Sequence, residues 1–325
     1  MSVDISKGFI DEKVDTSDLS AAITRLKREK GALILAHYYT VGEVQSVADL
    51  VGDSLALSQR AAETDAGIIL FAGVHFMAET AKVLSPSKKV LIPDLNAGCS
   101  LAESCSADRL AEFITEYPGH KVISYVNTSV GVKALTDVCC TSSNALDIVN
   151  SFPKEQPLIF CPDRNLGDYI KRETGRENMV VWDGACHVHE EFSLERIIEL
   201  KREHPEGKIL AHPECKAPIL MIADFVGSTA ALLRYASVDE CRVFIVATES
   251  GILYNMRKDN PDKVFIAASP VDSACGCSEC AFMKLINLQK IYLTLKYELP
   301  EVTIDEEIIK RAEKSIWAMI NMSFG

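Results

Sequence analysis

Apolar residues in this chain come in short unbroken runs, spaced by stretches with helical periodicity. ALILAHY (32–38), AGIILFAG (66–73) and KKVLIPD (88–94) are apolar on both faces, which predicts buried strands. Between them, EVQSVADLV (43–51), SLALSQRAAET (54–64) and HFMAETAKVL (75–84) carry apolar positions three and four apart, which predicts amphipathic helices. The resulting order is strand–helix–helix–strand–helix–strand. It recurs in HKVISYV, ALDIVNSF, PLIFCPD, NLGDYIKRE and MVVWDG, and again in GKILAHPE, TAALLRYAS, CRVFIVATE, SGILYNMRKD and KVFIAAS. Two further helices are predicted over 283–323.

The punctuation repeats with the pattern. His37 to Tyr125 is 88 residues and Tyr125 to His212 is 87; Ser54, Ser142 and Thr229 keep the same two intervals. Cys99 to Cys186 is 87 and Cys186 to Cys280 is 94. Three diverged copies of one unit follow, at 20–105, 106–190 and 191–282, with 283–323 packing back on the first. Strands alternating with helices predict α/β/α sandwiches with parallel sheets. Ligands in such sheets sit beyond the strand carboxyl ends. A pseudo-threefold stack of the copies around a central site would bring distant residues to one point.

Composition narrows the function. A net charge of −12 and no basic stripe exclude a nucleic-acid role. The acidic N-terminus is not a signal peptide, and the longest apolar stretch, 217–233, is broken by Asp224 and Gly227. A cytoplasmic protein is expected. Eleven cysteines in a reducing compartment point to metal or redox chemistry rather than a disulfide framework.

Three thiolates from three separate copies, Cys99, Cys186 and Cys280, suit an iron–sulfur cluster better than structural zinc, whose ligands come in close sequence pairs. A [4Fe–4S] cluster with three cysteine ligands keeps one iron open as a Lewis acid. A zinc site from CGCSEC (275–280) and CHVH (186–189) is the alternative. Cys275 and Cys277 are spare thiols, a redox pair or alternative ligands; the seven extra residues of the third interval favour Cys280. Cys105, Cys139, Cys140, Cys161, Cys215 and Cys241 are expected in the core, and His75, His120 and His204 on helices or the surface.

Polar residues cluster at the same strand ends: His37 and Tyr39, Tyr125 and Asn127, His212 and Glu214, with His189 beyond Cys186. They provide acids, bases and donors for polyol and carboxylate chemistry. Ser54, Ser142 and Thr229 precede helices, where they can serve as N-caps or, together, as an anion site.

These residues resemble the quinolinate synthase family (quinolinate synthetase A) of NAD biosynthesis. The resemblance runs through AHYYTVGEVQSVADLVGDSL, PDLNAGCSLAESC, SYVNTSVGVKALTDVCCTSSNA, WDGACHVHEEF, AHPECKAPILMIADFVGSTAALL and CSECAFMKL, and covers roughly residues 20–320. It implies condensation of iminoaspartate with dihydroxyacetone phosphate to quinolinate, phosphate and two waters. By motif position it implies Cys99, Cys186 and Cys280 as ligands of a [4Fe–4S] cluster, and His37, Tyr39, Ser54, Tyr125, Asn127, Ser142, His189, His212, Glu214 and Thr229 around the substrates. Tyr39 with His37 is the candidate proton carrier in a ketose–aldose shift, and Glu214 with His212 the candidate base. L-Aspartate oxidase or an aspartate dehydrogenase is implied as the supplier of the imine. Some family members carry Cys-x2-Cys-x2-Cys at the last ligand; here the spacing is Cys275-x-Cys277-x2-Cys280. A disulfide between Cys275 and Cys277 is a regulatory expectation. The competing readings are an aconitase-like hydratase and a non-catalytic metal or redox protein.

Overall fold

The computed structural model describes residues 3–16, 18–269 and 278–322. Cys275 and Cys277, and the expected pairing between them, lie outside the described residues. The strands are β1 (Ala32–His37), β2 (Leu50–Gly52), β3 (Ile68–Ala72), β4 (Lys89–Leu91), β5 (Lys121–Tyr125), β6 (Val138–Cys140), β7 (Leu158–Cys161), β8 (Met179–Val181), β9 (Lys208–Ala211), β10 (Phe225–Val226), β11 (Val243–Ala247) and β12 (Val264–Ala267). They form three four-stranded sheets, in the orders β2-β1-β3-β4, β6-β5-β7-β8 and β10-β9-β11-β12. The order is the same each time, and the registered pairs are parallel. Helices interleave the strands, so the fold is α/β with three similar sandwich units.

One element per copy differs from the sequence reading. A short edge strand, β2, β6 or β10, stands between the first two helices; residues 50–52 and 225–226 had read as helix or loop. Two or three residues are too few for periodicity to register. Their brevity leaves the start of the neighbouring strand without a ladder partner, and an aspartate closes the gap. Asp49 Oδ2 accepts the Ile34 N–H at 2.8 Å, and Asp224 Oδ2 accepts the Ile209 N–H at 2.7 Å. Buried amides must find acceptors, so these carboxylates complete the sheet.

By contacts the chain forms two compact units, residues 1–107, 126–139 and 281–325, and residues 108–125 and 140–280. In the first, Ile34, Leu70 and Leu91 from the sheet share a core with Ile23, Ile286, Ile291 and Leu295. The helix predicted from 283 begins instead at Leu288 and runs to Tyr297, because Asn287 accepts the Lys290 N–H and caps it. The last helix is Glu306–Met322, with Ala312, Ile316 and Met319 buried. In the second unit, one core packs Phe192, Ile197, Ile209, Ile219 and Ile245, and Cys186 and Cys280 border it together. On another face of the same sheet, Leu210, Phe244, Val246 and Phe265 pack with Leu232 and Met256. No helix among the described residues is long and apolar enough to cross a membrane.

Candidate active site

The three cysteines that recur in sequence recur in backbone geometry. Three residues after β3, β7 and β11, the amides of His75, Arg164 and Ser250 donate to Ala97, Gly184 and Ser278 at 2.7, 2.7 and 2.9 Å. Each acceptor lies two residues before a cysteine: Cys99, Cys186 and Cys280. Cys99 and Cys186 are the N-cap residues of Ser100–Ser104 and His187–Glu190, and Cys280 immediately precedes Ala281–Lys284. All three are half-buried, whereas Cys105, Cys139, Cys140, Cys161 and Cys215 are buried. Cys241 is also half-buried, but its sulfur is held by the Glu206 and Val243 carbonyls at the opposite, amino end of β11. Thiolates are the ligands that an iron–sulfur cluster takes, and each of the three equivalent loops carries one cysteine of that chemistry.

In the second unit Cys186 adjoins a buried network. His189 Nδ1 is 2.7 Å from Glu214 Oε2 and 3.3 Å from Cys186 Sγ, and its Nε2 is 3.0 Å from Thr248 Oγ1. His212 stacks on His189 at 4.8 Å between ring centroids. Its Nε2 lies 3.1 Å from Ser142 Oγ, and its Nδ1 faces the Glu214 N–H at 3.4 Å. His189, His212 and Glu214 are buried. Burial pushes the Glu214 carboxyl up. The His189 and His212 charges, with hydrogen bonds from His189 and Tyr125, outweigh that and hold it at about 2. Glu214 Oε1, by contrast, is buried with no hydrogen-bond partner among the described residues. An ionised, buried carboxylate oxygen left unpaired is costly unless a ligand meets it.

Cys186, His189 and Glu214 place one donor atom each within 4.8 Å of one another, so together they can hold a metal ion. The 2.7 Å approach of His189 to Glu214 is a hydrogen bond, however, and it commits both atoms to each other.

In the first unit, His37 is buried and its Nδ1 accepts the Tyr39 backbone N–H at 3.2 Å; the two rings meet edge to face at 4.5 Å. This arrangement matches His212 and Glu214, where the amide two residues on also meets Nδ1. Asn127 Oδ1 is buried without a partner among the described residues. Cys99 borders a cavity of about 450 Å³ lined also by His75, Glu79, Glu103 and Ser129. Nearby Lys133 is fully buried, donates to the Thr128 carbonyl, and has its ammonium pK pushed down by burial.

The helix caps differ from the sequence reading. Asp53 accepts the Ala56 N–H and Ser228 accepts the Ala231 N–H, so Ser54 and Thr229 are first-turn residues and not caps. Asn144 holds the N-cap position of Ala145–Ser151, and Ser142 instead meets His212. Asp53 and Ser228 cap with their side chains, whereas Asn144 makes no side-chain cap bond and accepts the Thr141 N–H instead. Asp163, Thr248 and Glu249 were not singled out by sequence. Asp163 and Glu249 each stand two residues after a central strand, a position that could have marked them. Burial, reinforced by the Glu214 charge, pushes the Asp163 carboxyl well above its usual value.

The family model described as Quinolinate synthetase A protein (NadA) matches residues 21–321. Proteins named quinolinate synthase from Thermosynechococcus vestitus and Microcystis aeruginosa are each 55% identical over 306 residues, covering 94% of this chain and 96% and 95% of theirs. One from Rippkaea orientalis is 52% identical over 307 residues, covering 94% of both chains.

Proposed function

The chain belongs to the quinolinate synthetase A family, and from that premise we propose that it condenses iminoaspartate with dihydroxyacetone phosphate to quinolinate, releasing phosphate and two waters. The observation that carries the reading is the amide-to-carbonyl bond that recurs two residues before Cys99, Cys186 and Cys280. It supports one ligand role for the three thiols, Cys280 included, and the three repeats 20–105, 106–190 and 191–282, with 283–323 attached to the first, as their carriers. The thiolates of these cysteines would hold a [4Fe–4S] cluster. That group supplies an open Lewis-acid iron suited to the loss of water.

The chain's own residues would do the rest. Glu214 is our base for carbon–carbon coupling or for a later dehydration: its carboxyl is ionised, and Oε1 has no hydrogen-bond partner among the described residues. His189 orients that carboxylate through Oε2, and Thr248 holds the far side of the imidazole. His212 sets the Ser142 hydroxyl, which with the first-turn Ser54 and Thr229 hydroxyls would hold the phosphate. The Tyr39 hydroxyl would move protons in the ketose–aldose shift. His37, whose Nδ1 is occupied by a backbone N–H, would present Nε2–H to the substrate. Asn127 Oδ1 would accept from a substrate donor, and Tyr125 would bind beside Glu214. The unstable imine would come from L-aspartate oxidase or an aspartate dehydrogenase. A reducing cytoplasm is the compartment that suits thiolate ligands.

Protein purified without oxygen tests the proposal. About four irons and four sulfides per chain, with quinolinate formed from dihydroxyacetone phosphate and enzymatically generated iminoaspartate, is the expected result. A cluster without quinolinate would leave the hydratase reading; zinc, or no metal, would refute the cluster.

A further inference from the structure

Two of the three ligand loops are tied at the cysteine amide to a buried acid that follows a central strand. Glu249 Oε1 accepts the Cys280 N–H at 3.0 Å, and its Oε2 accepts the Gly251 N–H at 2.7 Å. Asp163 Oδ2 accepts the Cys186 N–H at 3.3 Å, and its Oδ1 accepts the Leu166 N–H at 2.8 Å. Both acids are buried, at 1% and 0% exposure, and both stand two residues after a central strand. In the first repeat that place belongs to Val74, which has no acceptor to offer. The Cys99 loop carries a buried acid at another place, Asp94, whose Oδ1 accepts the Asn96 N–H and side-chain amide at 2.9 Å each and whose Oδ2 pairs with Lys290.

We propose that Asp163 and Glu249 are positioning residues that lock the Cys186 and Cys280 backbones to the ends of β7 and β11, so that these two thiols are preset for a metal group. The inference rests on the proposed ligand role of these cysteines. A carboxyl group that accepts two backbone amides resists rotation, because any movement breaks both bonds at once. The cysteine amide is one bond from the carbon that carries the thiol, so holding the amide limits where the sulfur can go. Outer partners of metal ligands act this way, and their loss typically weakens metal binding about 10–100-fold.

The test compares Glu249→Ala and Asp163→Ser with the parent, all purified anaerobically. Serine can still cap Arg164–Thr174 through the Leu166 N–H but cannot reach the Cys186 amide as well. Asp224→Asn, which weakens an equally local carboxylate–amide bond at β9, serves as the control. The readouts are iron release to a ferrous chelator and the electron-spin spectrum of the reduced protein. Release about tenfold faster in both variants, with a shifted spectrum and no such change in the control, is the expected result. Glu249→Gln, which keeps one acceptor, should fall between parent and Glu249→Ala. Release within twofold of the parent, or as fast in the control, would overturn the proposal.

A parent that carries no iron–sulfur group would refute the ligand reading and not the locking. Amide hydrogen exchange of metal-free protein then decides alone. Exchange at Cys280 about tenfold faster in Glu249→Ala supports the lock, and unchanged exchange overturns it.

Discussion

His189 and Glu214 approach to 2.7 Å with 1% and 3% of their side chains exposed. The carboxylate is thereby held ionised with Oε2 fixed, and Oε1 has no hydrogen-bond partner among the described residues. On the proposed function, this division of labour between Oε2 and Oε1 would give the residue a set direction as a base. Glu214→Gln should lower turnover about 100-fold or more while leaving fold and metal content intact. Circular dichroism, iron content and quinolinate formation check it together; retained turnover would remove Glu214 from the chemistry.

Thr248 acts one step further out, through His189 Nε2. Thr248→Val keeps the shape and deletes the bond, so stability should drop by about 1 kcal/mol. Turnover should fall with KM nearly unchanged, since the lost contact orients a base and does not hold substrate. A KM effect alone would argue against this.

Ser54 and Asp53 separate cap from site. Asp53→Ala should destabilise by about 1 kcal/mol through loss of the Ala56 bond. Ser54→Ala should leave the melting temperature unchanged and raise KM for dihydroxyacetone phosphate. The reverse pattern would return Ser54 to a purely structural role.

Arg176 is buried and donates to the carbonyls of Val149, Phe152, Pro153 and Gln156, closing the end of the helix Ala145–Ser151. Arg176→Met leaves those acceptors unmet and should cost about 3 kcal/mol. Urea unfolding measures it. The activity of the protein that remains folded should be unchanged.

Glu298 joins Lys30 at 2.7 Å and Lys89 at 2.6 Å, and these hydrogen bonds hold its carboxyl at about 2 against an ordinary 4.5. A depressed carboxyl stabilises the fold above its unfolded pK and loses that contribution as pH falls through the folded one. Stability of the parent should therefore decline more steeply than that of Glu298→Gln between pH about 4.5 and 2. Unfolding midpoints that run parallel for the two proteins would discard the link.

The sequence alone determined the repeat, the alternation of buried strands with amphipathic helices, and the three cysteines with their polar companions. These are legible because side-chain periodicity and local spacing carry them. It did not reveal β2 and β10, whose two or three residues fall below any period, nor that Asp53 and Ser228 take the caps. Only the tertiary structure decided which hydroxyl meets which imidazole, as Ser142 and His212 do across 70 residues. The same holds for Asp163 and Glu249: either reads as an ordinary acid until folding removes the water and brings a cysteine amide from 23 or 31 residues away. Hydrogen bonds between distant segments depend on where strands end in space, and no local pattern encodes that.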